Sequence, residues 1–195
     1  LGMAGVLSLV SRFQHSKGWG GSCVEIGVFQ GASLFPMLLC TQDGEVGLAV
    51  DCFEDQSANL DDSGHGESVP TMAAFQEALQ RHVRDATIAN RAVVLRCDSS
   101  ELSSADVLRL LPSAARLFSV DGCHEAPATY KDCTLAAACL APGGVIIVDD
   151  VFNAHWPGVS EGLLRFLEAD RGLAPFFIGF NKVLLCEVEL HKDFL

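Results

Sequence analysis

Three acidic side chains and a histidine follow two apolar runs. Phe118-Ser119-Val120 leads into Asp121-Gly122-Cys123-His124, and Val145-Ile146-Ile147-Val148 leads into Asp149-Asp150. If both runs are neighbouring strands of a parallel sheet, their tips project to one edge and Asp121, Asp149 and Asp150 converge there. Carboxylates that close repel one another unless a cation lies between them, and hard oxygen ligands suit Mg²⁺ or Ca²⁺. All three are candidate metal ligands. A second constellation is Glu25-x-Gly27-x-x-x-Gly31, which closes the apolar run from Ser22 to Ile26. Gly27 and Gly31 let the backbone turn tightly and approach a ligand, and the segment from Ala32 to Cys40 starts a helix whose N-terminal amides face it. This is the nucleotide-handling end of a first strand. A dinucleotide fingerprint needs G-x-G-x-x-G, whereas here Glu25 stands where the first glycine would and three residues separate Gly27 from Gly31, which disfavours NAD.

The elements that must position these groups follow from the alternation of short apolar runs with segments of helical period, the pattern of a parallel sheet covered on both faces. Strands are expected at Ser22 to Ile26, Glu45 to Asp51, Ala92 to Arg96, Ala115 to Asp121 and Gly144 to Asp149. Helices are expected at Leu1 to Ser16, Ala32 to Cys40, Thr71 to Arg84, Ser103 to Leu111, Ala126 to Leu140 and Gly158 to Arg171. The tail differs. Ala174 to Phe180 and Lys182 to Glu189 are apolar runs with only a short turn near Asn181, too little chain for a crossover helix, so they form a hairpin whose last strand runs antiparallel. Phe53 to Pro70 has no period and reads as a long loop, a lid or slack chain.

Composition limits the rest. With 195 residues, 49% of them hydrophobic, residues 1–195 are expected to form a single domain with a substantial core; the leucine start is compatible with a fragment of a longer chain. Twenty-five acidic against 13 basic residues give a net charge of −12, a field that repels phosphate backbones, so nucleic acid is not an expected partner. The eight cysteines include no CxxC pair, and Cys23, Cys52, Cys97 and Cys186 lie in or beside strand-like runs. Reduced buried thiols and a cytoplasmic setting are expected. No apolar run approaches the roughly 20 residues of a membrane span, so a membrane is not an expected partner either.

The pattern Glu25-x-Gly27-x-x-x-Gly31, with the closing hairpin, resembles class I S-adenosylmethionine-dependent methyltransferases. That resemblance implies an α/β, Rossmann-like fold with a mostly parallel seven-stranded sheet, helices on both faces and a closing antiparallel hairpin. It implies S-adenosylmethionine as cofactor, met by Glu25, Gly27, Val28, Phe29, Gly31 and Ser33. Asp51, with Cys52 beside it, ends the second strand, where a carboxylate can accept both ribose hydroxyls; a solvated strand-end acid or a helix cap is the alternative. Asp98 and Ser99 fall where the family's adenine-binding loop lies, and Asp98 reads equally as an N-cap. Asp121 closes the cofactor set.

The strand-tip acids resemble those of metal-dependent O-methyltransferases of the catechol and the macrocin or novobiocin sugar types, in which acids at these two strand ends bind magnesium. The 28 residues from Asp121 to Asp149 agree with that pattern. In this chemistry the metal holds two vicinal oxygens of the acceptor and lowers the pKa of the one to be methylated. The catechol type has a lysine three residues after the first aspartate and the sugar type an aspartate two after it, whereas this chain has His124 and Cys123 there. His124 is the candidate base, acting with Asp121, since its ordinary pKa lies near neutrality; a residue that merely lines the loop is the alternative. His155 and Trp156 resemble a substrate-facing loop, or belong to surface and core. Asn59, Asp61, Asp62, Ser63, Gly64 and Gly66 are candidate lid residues, whereas Lys131, Asp132, His82 and His191 read as solvated faces. The expected acceptor is a small hydroxylated molecule, and a homodimer is left open. Two rivals remain: an S-adenosylmethionine-binding module without chemistry, and a metal-dependent hydrolase or hydroxylase using the same acids and histidines.

Overall fold

A computed structural model describes residues 2–57, 69, 71–169 and 172–195; the six candidate lid residues, with Leu1, lie outside the described residues. The strands are β1 (Ser22–Ile26), β2 (Gly47–Asp51), β3 (Ala92–Arg96), β4 (Ala115–Val120), β5 (Leu140–Val148), β6 (Leu173–Gly179) and β7 (Lys182–Glu187). They form one sheet in the order β3-β2-β1-β4-β5-β7-β6. From β3 to β5 every pairing is parallel, while β7 is antiparallel to both β5 and β6. This is the mostly parallel α/β sheet expected, closed by the expected hairpin.

The sheet is covered on both faces because its central strands are apolar on both. β1, β2 and β4 are buried throughout, and successive residues serve opposite cores: Val24 and Phe118 join one cluster, Cys23 and Leu117 the other. On one face lie α1 (Met3–Ser16), α2 (Leu34–Leu38) and α3 (Met72–His82), which bury Leu7, Leu38 and Phe75. The other face carries α5 (Ser104–Leu110), α6 (Ala126–Cys139) and α7 (Pro157–Glu168), with Val107, Cys133 and Phe166. A short α4 (Ala86–Ala89), capped by Asp85, precedes β3.

Several boundaries shift from expectation. α2 is five residues long rather than the run from Ala32 to Cys40. α6 passes directly into β5, which starts at Leu140 because Leu140 already pairs with Ala115; the register then shifts before Leu117 meets Val145. β7 ends at Glu187, after which Val188–Leu190 forms a 3₁₀ turn leading to α8 (His191–Phe194). Among the described residues no helix is long and apolar enough to cross a membrane.

Candidate active site

The parallel ladder continues past the strand ends and fixes the order of their tips. The Cys97 amide donates to Asp51 O, Gly27 to Val50 O, Asp121 to Ile26 O and Asp149 to Val120 O, at 2.8–3.1 Å. Asp51, Gly27, Asp121 and Asp149 therefore stand side by side along one edge. At Gly27 φ is +77°, and a Cβ there would overlap the Asp121 carbonyl, so only glycine lets these tips meet.

Asp51 joins two loops. Its Oδ2 accepts from the Phe29 amide at 2.9 Å and its Oδ1 from the Phe53 amide at 2.6 Å, and both phenylalanines have positive φ, 46° and 51°. Phe29 is exposed at this edge, whereas Val28 is buried in the core and Ser33 sits at the N-cap of α2. The Gly31 turn is closed by Phe35, whose ring fills the space that a Cβ would take. The Cys52 thiol donates to Cys97 O at 3.5 Å, and burial pushes its pKa up to about 11. Asp98 accepts from the Ser100 amide at 2.8 Å, as the N-cap alternative requires.

Behind this edge the acids are buried. Glu25, 1% exposed, has its pKa pushed up to about 8 by burial, against the Lys182 charge and hydrogen bonding from Ser119, the Leu34 amide and Ser33. Its Oε2 and the Ser119 hydroxyl nevertheless lack a well-formed hydrogen bond. Burial, then the charges of Glu25, Asp150 and Asp51, hold Asp121 well above the ordinary carboxylate range, with Lys182 acting against them. The Lys182 ammonium touches Asp149 Oδ2, and Asp149 Oδ1 accepts the Asp150 amide at 2.8 Å. Burial lowers the pKa of Lys182, while the charges of Asp121 and Glu25 raise it; Asp149 makes the direct contact. The cation that the crowded acids demand is in part supplied by the chain.

Asp150 faces away from that pair. Its φ is +55°, and its Oδ1 accepts from Asn153 Nδ2 at 3.1 Å and Asn181 Nδ2 at 2.5 Å. Its Oδ2 lies 3.4 Å from His124 Nε2. Although burial opposes it, hydrogen bonding from His124, Asn153 and Asn181 holds the Asp150 pKa below its ordinary value. The His124 imidazole stacks on Trp156, centroids 3.8 Å apart and planes 8° off parallel. Ligand atoms of Asp121, His124 and Asp150 all lie within 4.8 Å of one another. A small cavity opens beside them, lined by Asp121, Cys123, His124, Thr129 and Asp149. The structure thus brings Asp121, His124 and Asp150 together and turns Asp149 toward Lys182. Trp156 backs the imidazole and packs partly on the core, and His155 is exposed.

Three contributors escaped the sequence reading. Lys182 and Asn181 signal themselves only once β7 is placed against β5, where the turn residues Phe180 and Asn181, φ +54° and +64°, reach the loop after β5. Asp132 is the third and a correction. Expected on a solvated face, it is 2% exposed, because α6 buries Ala126, Thr129, Asp132, Cys133 and Ala136 along one stripe. Burial pushes its pKa up to about 7, against a hydrogen bond from Ser99.

With this geometry established, comparison with known proteins adds the following. The profile of a family described as "Methyltransferase domain" matches residues 24–151. The sequence matches none of the curated proteins. Among solved structures, the O-methyltransferase NovP superposes with a TM-score of 0.73 at 13% identity, over 95% of this chain and 79% of that one. The calicheamicin methyltransferase CalS11 gives 0.67 at 16% identity, over 93% and 77%. TomG, an O-methyltransferase of Streptomyces achromogenes solved with S-adenosylmethionine, gives 0.63 at 16%, over 92% and 77%.

Proposed function

The chain belongs to the family of methyltransferase domains, and from that premise we propose that it transfers the methyl group of S-adenosylmethionine to a hydroxyl of a small molecule, with help from a divalent cation. One observation carries this reading: ligand atoms of Asp121, His124 and Asp150 lie within 4.8 Å of one another, beside the turn at Gly27. The solved O-methyltransferases of the same fold, one of them bound to S-adenosylmethionine, support it.

The residues present fit the cofactor. A carboxylate offers about four lone-pair sites, and the amides of Phe29 and Phe53 take two at Asp51, which leaves capacity for ribose hydroxyls. Glu25, with Oε2 unpaired, is the buried acid to meet an ammonium. S-adenosylmethionine, when bound, supplies an electrophilic methyl carbon.

They fit a hard cation as well. Mg²⁺ is commonly bound through one or two carboxylates and keeps several waters, and Asp121 and Asp150 are the two available here, because Asp149 is engaged by Lys182. Such an ion would draw in two vicinal oxygens of the acceptor and acidify one. With Nε2–H donating to Asp150 Oδ2, the neutral His124 ring accepts the acceptor's proton at Nδ1, and Asp150 and the face of Trp156 favour the imidazolium. Asn153 and Asn181 hold Asp150, and Trp156 holds the ring plane. No observation favours either rival, the chemically silent module or the metal-dependent hydrolase.

Metal-stripped protein given S-adenosylmethionine and catechol or a sugar diol tests the proposal. Product is expected only on adding Mg²⁺, with a loss on the order of a hundredfold in Asp150→Asn. Methylation indifferent to EDTA overturns the role of the cation.

A further inference from the structure

Two consecutive residues of the β6–β7 hairpin take the two consecutive aspartates after β5. Asn181 donates to Asp150 Oδ1, and Lys182 pairs with Asp149 Oδ2. The two aspartates are left in different states. Asp149 accepts the Asp150 amide at Oδ1 and holds the ammonium at Oδ2, so a cation already neutralises this carboxylate and repels a second one there. Asp150 keeps Oδ2 turned toward His124 and Asp121, where an ion can reach it. The Lys182 side chain is only 10% exposed, and its charge acts on Asp121 and Glu25 as well as on its contact partner. A buried charge cannot be left without a partner, so the ammonium stays with the acids and competes for them with any second cation.

We propose that Lys182 is a positioning residue that keeps Asp149 out of the ion's ligand set and, as a built-in competing cation, lowers the affinity of the Asp121–Asp150 site for a divalent ion. The proposal rests on the methyltransferase reading above and concerns how that site is regulated. An ion held loosely by two carboxylates keeps waters that the acceptor's vicinal oxygens can replace, so binding of ion and of acceptor reinforce each other.

Mn²⁺ serves as the probe, its binding followed by electron paramagnetic resonance in the intact chain. Lys182→Met is expected to tighten Mn²⁺ by about tenfold or more, through loss of a repelling charge and release of Asp149. The gain is expected to vanish in Lys182→Met/Asp149→Asn. In the Lys182 background, Asp149→Asn costs less than about tenfold and Asp150→Asn on the order of a hundredfold. An affinity unchanged or weakened in Lys182→Met overturns the proposal, and so does equal loss in the two aspartate variants. If circular dichroism shows Lys182→Met to be unfolded, the aspartate pair alone decides. Failure of the underlying reading looks different: wild type and Lys182→Met both bind no Mn²⁺ at millimolar concentration, or calorimetry finds no S-adenosylmethionine binding.

Discussion

At the tip of β4 the His124 imidazole lies between Asp150 Oδ2, 3.4 Å from Nε2, and the parallel face of Trp156. A neutral ring whose Nε2–H is given to Asp150 takes its second proton at Nδ1. His124→Gln is therefore expected to slow single-turnover methyl transfer by about 10²- to 10⁴-fold, with S-adenosylmethionine affinity unchanged by calorimetry. A rate within a few fold of wild type removes the imidazole from the chemistry. His124 was legible in the sequence as a titratable residue just past a strand. That Asp150 rather than Asp149 would face it was not, because Asp150 is aimed by a left-handed backbone and by Asn181, which lies 31 positions further along the chain. Lys182 reads in the sequence only as the first residue of a strand. Asp132 misled for another reason: α6 packs against β4, β5, α5 and α7, so its polar residues do not mark a single solvent face.

At the scale of elements, the site exists because the tips of β1 and β4 touch, and Gly27 alone permits that contact. Gly27→Ala combines an overlap with the Asp121 carbonyl and a φ of +77°, and is expected to cost about 2–4 kcal/mol in urea unfolding. A cost below about 0.5 kcal/mol contradicts the tight contact. The hairpin turn is the second such element. Asn181→Ala removes hydrogen bonds to Asp150 and to the Phe152 amide, with an expected loss of about 1–2 kcal/mol that thermal unfolding can read. The central strands were legible because both their faces are buried and period is not needed to see a continuous apolar run. The hairpin was legible from its two-residue turn, but the insertion of β7 between β5 and β6 was not, since a hairpin can dock by either strand. That insertion brings Asn181 and Lys182 to the acids.

At the scale of the whole molecule, two buried acids make stability depend on pH in an unusual sense. Glu25, moved from 4.5 to about 8, and Asp132, moved from 3.8 to about 7, keep protons in the fold that the unfolded chain has released. Their contribution is fully present below the unfolded pKa values and is lost as pH rises through the folded ones. Stability is thus expected to fall between about pH 5 and pH 8, by up to about 1.4 kcal/mol per pH unit for each group, and self-repulsion among acids at a net charge of −12 acts in the same direction. Urea unfolding across that range checks the slope, and Asp132→Asn is expected to flatten it; a stability that rises with pH contradicts the assignment. The central claim, that the edge shaped by Glu25, Gly27 and Asp51 receives S-adenosylmethionine, is tested most directly by titrating that molecule into the folded chain in a calorimeter. The account predicts saturable binding at one site per chain, weakened by about tenfold or more in Asp51→Asn, which removes the charge that receives the ribose hydroxyls and sets an NH2 donor against one of the two loop amides that Asp51 accepts. Absence of binding by the folded chain, or an affinity unchanged in Asp51→Asn, would contradict it.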